Sequence, residues 1–307
     1  MSDAGDRPSW THQRRMEFLE WKMFWEGRVI RSDLEHTFDI STPQASVDLR
    51  RYREVAPDNM EQTARGYRPA ARFLPHFLKP SADRLLLQLR AFLSGVIPRT
   101  DIWFKDIPDV AIAPDIARDI PADCLRSILQ VMRDRAAIDI RYQSLTSSRR
   151  RVIAPHALAH DGFRWHVRAW CCENLEFRDF VLSRMDALGT TSSVEYDPAD
   201  DAAWHTKVVL HLRPHSGLSD QQRTAIEKDF GMSGGRRHIE VPACLAYYFI
   251  KRLNLDLPVT EKLTPARLQI ELENLDDVYE QIEQAKARTK ALIAKRFPQA
   301  RAVPSSH

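Results

Sequence analysis

The spacing of hydrophobic residues changes along the chain, and each change predicts a different element. Near the start, Met16, Leu19 and Met23 recur at helical spacing within residues 12–26. This spacing places the apolar side chains on one face and predicts an amphipathic helix, which Gly27 ends. The first region of the chain therefore begins with a helix that packs on a core.

Two further helices and a hairpin complete this region. Residues 31–38 predict a short helix with Ser32 as its N-cap. Thr42 is predicted to cap a third helix, because Pro43 suits the first helical turn. Two short extended runs about a Gly-containing turn follow in residues 59–70. Helix, short helix, turn, helix and small hairpin is the order of a winged helix-turn-helix.

A two-residue period replaces the helical one in the middle of the chain. Within residues 161–170, apolar and basic side chains alternate, which is typical of a half-buried β-strand. The apolar members are predicted to face the core: Phe163, Trp165, Val167 and Ala169. The basic members share the other face: Arg164, His166 and Arg168. Five short strands are predicted, at 137–144, 149–161, 163–171, 177–188 and 191–196. With turn signals between them, they predict a small SH3-like or Sm-like barrel.

Strands and helices alternate from about residue 203 to the last predicted helix, which is typical of a small α+β unit. The expected fold class is an α+β multidomain protein. Its predicted parts are a winged helix-turn-helix at 1–78, a helical linker at 79–135, an SH3/Sm-like β-barrel at 136–200, and a C-terminal α+β domain at 201–307.

Composition argues against several classes of protein. The chain has 307 residues, of which 43% are hydrophobic and 28% are charged, as in a soluble globular protein. It has no apolar run near the ~20 residues that a membrane helix needs, and no apolar core of a secretion signal near its start. We therefore expect a cytoplasmic protein without membrane contact. The four cysteines lack C-x-x-C spacing, and neither a metal nor a cofactor is expected.

The distribution of charge says more than the net charge of +3. Arginines cluster at 50–53, 65–72, 149–151 and 164–184, whereas the C-terminal part holds acidic blocks such as 271–277. This asymmetry indicates anion-binding surfaces in the first two-thirds of the chain.

The third helix and the hairpin carry side chains that suit DNA. In a helix-turn-helix, the N-terminal residues of the recognition helix enter the major groove. Glutamine pairs well with adenine, and arginine contacts phosphates or guanine. The candidate DNA-binding residues are Ser41, Thr42, Gln44, Ser46, Arg50, Arg51, Arg65 and Tyr67. The alternative is a helical bundle whose arginines are merely solvated.

Over nearly its whole length the chain resembles the WYL-domain transcriptional regulators. The residues that carry the resemblance lie in the barrel, at 140–142, 154–156, 164–170 and 177–184. The family's Trp-Tyr-Leu tripeptide stands here as Trp165, His166 and Val167. The layout is most similar to regulators found beside phage-defence gene clusters of the BREX type. The resemblance implies a homodimeric regulator, expected to be a repressor, that binds a pseudo-palindromic operator in double-stranded DNA.

The resemblance also implies a ligand site in the barrel. It points to Tyr142, His156, Arg168, Ser183 and Arg184, and His166 joins them because it shares the strand face of Arg168. Guanidinium groups match phosphate geometry, so the expected effector is anionic, a nucleotide or an oligonucleotide. The alternative is that the barrel arginines pair with aspartates and support the fold. The candidate aspartates for such pairs are Asp139, Asp179 and Asp186.

Two other functions stay open at this point. The barrel of an RNA-binding or single-strand-binding protein would serve as its main nucleic-acid surface. An enzyme acting on nucleotides would need a nucleophile motif, a phosphate loop or paired carboxylates, and none stands out. We therefore expect no catalytic residue.

Overall fold

The computed structural model describes residues 10–113, 116 and 118–298. The chain divides into two compact units, and the division falls after Ile116. None of the helices in these described ranges is long and apolar enough to cross a membrane.

The first unit contains the predicted helices and hairpin in the predicted order. Its elements are α1 (Trp10–Glu26), α2 (Arg31–Phe38), α3 (Thr42–Val55), β1 (Met60–Thr63), β2 (Gly66–Pro69) and α4 (Ala82–Leu93). The core forms where α1, α2 and α3 meet, around Phe18, Leu34 and Leu49. The strands pair antiparallel as a hairpin. This is the architecture of a winged helix.

Helix α2 has the predicted bounds, but the capping residues of α2 and α3 differ from those predicted. Ile30, not Ser32, precedes α2, and the Asp33 carboxylate accepts the Ile30 backbone N–H at 2.9 Å. Ser41, not Thr42, caps α3, because its Oγ accepts the backbone N–H of Gln44 at 3.4 Å. The cap oxygen must reach an N–H two or three positions onward, and this requirement moves the start of α3 one residue upstream.

The hairpin is fixed against the preceding helices at a glycine. Gly66 has a φ of 120°, and a Cβ there would lie 2.5 Å from Ile30 Cγ2. Tyr67 and Val29 exchange backbone hydrogen bonds of 2.8 and 2.9 Å beside it. Only glycine allows this close approach, so the position of the hairpin turn is set by the backbone.

The second unit begins with a helix and a curled sheet. These elements are α5 (Ala122–Asp134), β3 (Ala137–Gln143), β4 (Ser148–His160), β5 (Trp165–Cys171), β6 (Glu176–Val181) and β7 (Met185–Ser192). The sheet order is β6-β5-β4-β3-β7. Its two edge strands are joined only by the short turn Leu182–Arg184, so the sheet must curl until its edges approach. The backbone N–H of Val181 donates to the Tyr142 hydroxyl at 3.1 Å across this junction, as expected for the predicted barrel.

Two details of the barrel differ from the prediction. The run at 177–188, predicted as one strand, is divided by the turn Leu182–Arg184. The predicted fifth strand at 191–196 is not a separate strand, because its first two residues form the end of β7, which stops at Ser192. The cause of the division is the change of partner: β6 pairs with β5, whereas β7 pairs with β3 at the opposite edge.

The strand β5 is buried on both faces, which corrects the predicted half-buried pattern. Val167 and Ala169 lie in the barrel core with α5, as predicted. His166 and Arg168, on the other face, are only 2% and 7% exposed. Trp165, predicted to lie in the core, is 48% exposed, and Phe163 is also exposed. The strand enters the buried layer only after Trp165, and C-terminal elements then cover its polar face.

The C-terminal part packs a sheet against helices. Its elements are α6 (Ala202–His205), β8 (Lys207–Pro214), α7 (Asp220–Asp229), β9 (Arg237–Pro242), α8 (Ala243–Arg252), α9 (Pro265–Leu268), β10 (Ile270–Leu272) and α10 (Leu275–Arg296). The strand order is β10-β8-β9. Leu210, Ile250 and Ile282 lie in the shared core of strand β8 and helices α8 and α10.

The predicted linker at 79–135 contributes to both units. Helix α4 lies in the first unit. Helix α5 places Cys124, Ile128 and Val131 in the core of the barrel. The apolar face of α5 explains this position, because it packs against β4 and β7 of the curled sheet.

Candidate nucleic-acid interface and barrel network

Helix α3 has one buried face and one exposed face. Ala45, Leu49 and Tyr52 pack in the core of the winged helix. The exposed side chains recur at helical spacing along the other face: Thr42, Ser46, Arg50 and Arg53. Arg51 is exposed beside this stripe. The predicted recognition helix therefore presents hydroxyl and guanidinium groups to solvent, which is the arrangement needed for contacts in a DNA groove.

Buried ion pairs and hydrogen bonds hold α3 from behind. Arg15 Nε donates to Asp48 Oδ2 at 2.6 Å, and both groups are buried. Gln44 Nε2 donates to Asp48 Oδ1 at 3.1 Å. The amide of Gln44 is thus half-buried and committed to Asp48. A contact between Gln44 and adenine would require this bond to be exchanged.

A second buried carboxylate fixes the segment that follows the hairpin. Glu20 accepts the Tyr52 hydroxyl at 3.0 Å and backbone N–H groups at 2.7 Å from His76, Phe77 and Leu78. Burial raises the pKa of Tyr52 above its ordinary value, and the charge of Glu20 raises it further. The hydroxyl therefore stays protonated and donates, which ties α1 to α3.

The hairpin residues differ in what they can offer to DNA. Arg65 is exposed in the turn between β1 and β2. Tyr67 is half-buried and packs on the winged-helix core. Arg68 pairs with Glu61 at 2.7 Å on the surface. The hairpin thus presents Arg65 to solvent, while Tyr67 mainly anchors the strand.

In the barrel, Arg168 is the centre of a buried ionic network. Its Nε and Nη2 donate to the two carboxylate oxygens of Asp201 at 2.8 and 2.9 Å. Its Nη1 lies 3.2 Å from Asp179 Oδ2. Burial lowers the pKa of Arg168, but the two aspartates outweigh burial and raise it above its ordinary value. This paired, planar arrangement joins β5 to β6 and to the cap of α6.

A β-bulge places His156 in the same network. Pro155 pairs with Ala169 and Ala157 pairs with Arg168, so His156 is the extra residue of β4. Its Nε2 lies 3.0 Å from Asp201 Oδ2. Burial raises the pKa of Asp201, but hydrogen bonds from Arg168 and His156 outweigh it and lower the pKa to about 2. Asp201 is therefore a buried, charged acceptor at neutral pH.

His166 has a separate partner. Its Nε2 lies 2.9 Å from Asp161 Oδ2, and its ring centroid lies 5.0 Å from that of Tyr248 on α8. Asp161 also accepts the backbone N–H groups of Phe163 and Arg164 at 2.7 and 2.8 Å. Burial raises the pKa of Asp161, but these bonds, with His166 first among them, hold it below its ordinary value.

The remaining predicted ligand residues lie at another place in the barrel. Tyr142, Ser183 and Arg184 are half-buried where the turn after β6 meets β3. No carboxylate among the described residues pairs with Arg184. The structure therefore divides the predicted set into a buried network around Arg168 and His156, the His166 pair, and this group around Arg184.

Sequence reasoning missed two aspartates that organise the polar face of β5. Of the predicted partners for the barrel arginines, Asp179 pairs with Arg168, and Asp139 pairs with Arg150 on the surface. Asp201 and Asp161 were not predicted. Asp201 had a local signal, because it caps α6 by accepting the Trp204 backbone N–H at 3.3 Å. Asp161 stands in the turn that precedes β5, which is a common place for a capping aspartate.

The described residues contain no group of three or more side chains that could hold a metal ion. The free cysteines offer no reactive arrangement either. Cys171 is buried in the barrel core, and burial, followed by the neighbouring Cys171 and Glu173, raises the pKa of Cys172 to about 11.

Comparison with known families matches three stretches of the chain. They are the BrxR transcriptional regulator winged helix-turn-helix domain at 11–91, the WYL domain at 123–189, and the BrxR transcriptional regulator C-terminal dimerization domain at 207–278. These matches confirm the winged helix and the WYL barrel that the sequence predicted.

Curated relatives match across almost the whole chain. The DNA-binding transcriptional repressor CapW of Escherichia coli (strain KTE188) is 35% identical over 283 residues, which are 90% of this chain and 93% of that protein. CapW of Pseudomonas aeruginosa is 37% identical over 279 residues, 89% of this chain and 93% of that protein. CapW of Stenotrophomonas maltophilia is 34% identical over 283 residues, 90% and 94% of the two chains.

Among solved structures, proteasome accessory factor B/C of Arthrobacter aurescens has a TM-score of 0.28 and 16% identity. The match covers 81% of this chain and 48% of that one, so the chain spans about half the length of that structure. This likeness is too slight to place a residue or a function. The identity to the CapW proteins is decisive: the chain belongs to their family of WYL-domain transcriptional regulators, with a BrxR winged helix-turn-helix, a WYL domain and a C-terminal dimerization domain.

Proposed function

We propose that this protein is a homodimeric transcriptional repressor that binds a pseudo-palindromic operator in double-stranded DNA. The observation that carries the proposal is the exposed stripe of α3, where Thr42, Ser46, Arg50 and Arg53 share a face opposite the core. The matched dimerization domain and the CapW relatives support the same function. Two copies would read two half-sites, because a two-fold protein is matched by a two-fold operator.

In this proposal, the residues of α3 and the hairpin have different roles. Arg50, Arg51 and Arg65 neutralise phosphates or reach guanine edges. Thr42 and Ser46 contact base edges or phosphates from the first turns of the helix. Ser41 caps the helix and presents its N-terminus to the DNA backbone.

We also propose that the barrel senses an anionic effector, a nucleotide or a nucleic acid, and that the regulated genes form a phage-defence operon. Arg184 supports the sensing role, because it is half-buried and lacks a carboxylate partner among the described residues. Tyr142, whose hydroxyl accepts the Val181 backbone N–H, and Ser183 would supply hydroxyl groups to the effector. In this scheme the role of Arg168, His156 and His166 is structural, because their polar groups already bond to aspartates.

A gel-shift titration tests the proposal. Purified protein is titrated with duplex DNA from upstream of its own gene, against scrambled duplex and single-stranded competitors at two salt concentrations. We expect a saturable complex that scrambled duplex does not displace. Equal binding to every duplex would contradict operator recognition. Preference for single strands would instead favour the alternative function, in which the barrel is the main nucleic-acid surface.

The effector role is tested on the preformed operator complex. Single nucleoside monophosphates and a short single-stranded oligonucleotide are added in turn, and release of the duplex is measured for the wild type and for Arg184→Gln. We expect one probe to release the wild type and to leave the variant bound. Release of both proteins at the same concentration would contradict a role for Arg184.

A further inference from the structure

The second unit contains a cavity that the predicted ligand residues do not explain. It lies between the β5–β6 edge of the barrel and the helices α8 and α10, and its volume is about 610 Å³. Pockets that bind small organic ligands have this size and are mostly apolar with a few polar groups. Of the residues predicted for the barrel ligand, only Arg168 lines this cavity.

One wall of the cavity holds a buried acceptor that lacks a donor. The Asp179 side chain is 9% exposed, and its Oδ2 accepts the Tyr248 hydroxyl at 3.3 Å and lies 3.2 Å from Arg168 Nη1. Its Oδ1 is buried and has no hydrogen-bond partner among the described residues. Buried carboxylate oxygens are normally hydrogen-bonded. A ligand that donates an N–H or O–H to Asp179 Oδ1 would satisfy it.

Helix α10 brings positive charge to the cavity. Lys286 and Lys290 lie one helical turn apart on α10, and both line the cavity and are exposed. Lys286 is 2.7 Å from Glu283. No carboxylate in the described ranges pairs with Lys290. A negatively charged group on the ligand would find its counter-charge at Lys290, where water also reaches.

Aromatic side chains also line the cavity. Tyr247 is half exposed on α8, and Phe177 and Phe297 line the cavity from β6 and from the end of α10. Flat aromatic rings pack well on such side chains. The lining of the cavity thus combines a buried acceptor, aromatic rings and exposed lysines.

We propose that this cavity binds an organic anion with a planar ring that bears N–H groups, which is the chemistry of a nucleotide. The ring lies against Tyr247 and donates to Asp179, and the phosphate lies at Lys290. The site is separate from the group around Arg184. The proposal goes beyond the proposed function, because it adds an anion site that does not involve Arg184, and its test measures binding to the free protein and does not depend on DNA.

Isothermal titration calorimetry on the full-length protein tests the site with AMP, GMP, CMP and UMP. Ribose 5-phosphate serves as the ligand without a ring, and adenosine and guanosine serve as ligands without a phosphate. We expect at least one nucleotide to bind with one site per protomer and at least about tenfold more tightly than either partial ligand. Absence of saturable binding of all four nucleotides at about 1 mM would overturn the proposal.

Variants on α10 locate the site. Lys290→Gln should weaken binding of the nucleotide by about tenfold, because it removes the counter-charge, and Ala294→Trp should abolish binding by filling the cavity. The matched controls on the same helix are Lys295→Gln and Ala291→Trp, whose positions are exposed and do not line the cavity. The controls should bind like the wild type.

Two results would contradict the proposed location of the nucleotide site. Wild-type affinity in both Lys290→Gln and Ala294→Trp would place the nucleotide elsewhere. Loss of binding in Arg184→Gln, with Lys290→Gln unchanged, would move it to the barrel group. Circular dichroism and operator binding of each variant show whether it is folded, so a misfolded Ala294→Trp leaves Lys290→Gln to decide.

Discussion

The arginines of the winged helix and those of the barrel strand have the same chemistry and opposite surroundings. Arg50, Arg51 and Arg65 are exposed. Arg168 is 7% exposed and lies between Asp201 and Asp179. An exposed guanidinium can exchange water and counter-ions for a phosphate at low cost, whereas a buried one must first give up its carboxylate partners. The first group is therefore suited to bind DNA, and Arg168 to hold the second unit together.

The largest expected effect follows from breaking the buried pair. Arg168→Met leaves Asp201 and Asp179 without their shared cation, and removal of one partner of a buried ion pair costs about 3–5 kcal/mol. Urea unfolding should show this decrease in stability. The control is Arg178→Met on the neighbouring strand β6, where an exposed pair with Glu176 contributes about 1 kcal/mol or less. Equal decreases in the two variants would contradict a structural role for Arg168.

A smaller effect follows from the charge of Asp201. Its pKa is lowered from 3.8 to about 2, so the stabilisation is complete above pH 3.8 and disappears as the pH falls through 2. The size of this shift corresponds to about 2 kcal/mol. The free energy of unfolding, measured across this range, should fall less steeply in Asp201→Asn than in the wild type.

The exposed Asp186→Asn serves as the control for that pH series. It should follow the wild-type curve. If Asp201→Asn kept the full acid dependence of the wild type, the ion pair would not be its source.

The smallest expected effect concerns Ser41, which is the N-cap of α3 and is proposed to lie near the DNA backbone. As the N-cap of α3 it accepts the Gln44 N–H, so Ser41→Ala should cost about 1 kcal/mol of stability. Ser41→Asp keeps the cap but adds negative charge near the DNA backbone. It should keep wild-type stability and weaken operator binding, as measured by thermal melting and gel shift. Wild-type operator affinity in Ser41→Asp would place Ser41 away from the phosphates.

Local patterns were enough to predict the elements of the winged helix and the barrel. The helical spacing of Met16, Leu19 and Met23 and the glycine turn of the hairpin depend only on near neighbours. Cap positions were displaced by a residue or two, because the choice between Ser41 and Thr42 depends on which oxygen reaches a backbone N–H.

Local sequence patterns could not predict which residues surround β5. Alternation predicted one core face and one polar face, but Tyr248 and Asp201, far along the chain, cover the polar face. Asp201 also determines which of the predicted ligand residues already have a carboxylate partner. His156 and Arg168 share Asp201, whereas Arg184 is left without a carboxylate partner in the part of the chain that the structure describes.

The most direct test of the account is the salt dependence of operator affinity in the wild type, Arg50→Ala, Arg51→Ala and the control Arg126→Ala, an exposed arginine on α5. Removing an arginine that neutralises one phosphate should weaken binding and reduce the slope of log affinity against log salt by about one. We predict reduced slopes for Arg50→Ala and Arg51→Ala and a wild-type slope for Arg126→Ala. Wild-type affinity and slope in both α3 variants would contradict the assignment of α3 as the DNA-binding helix.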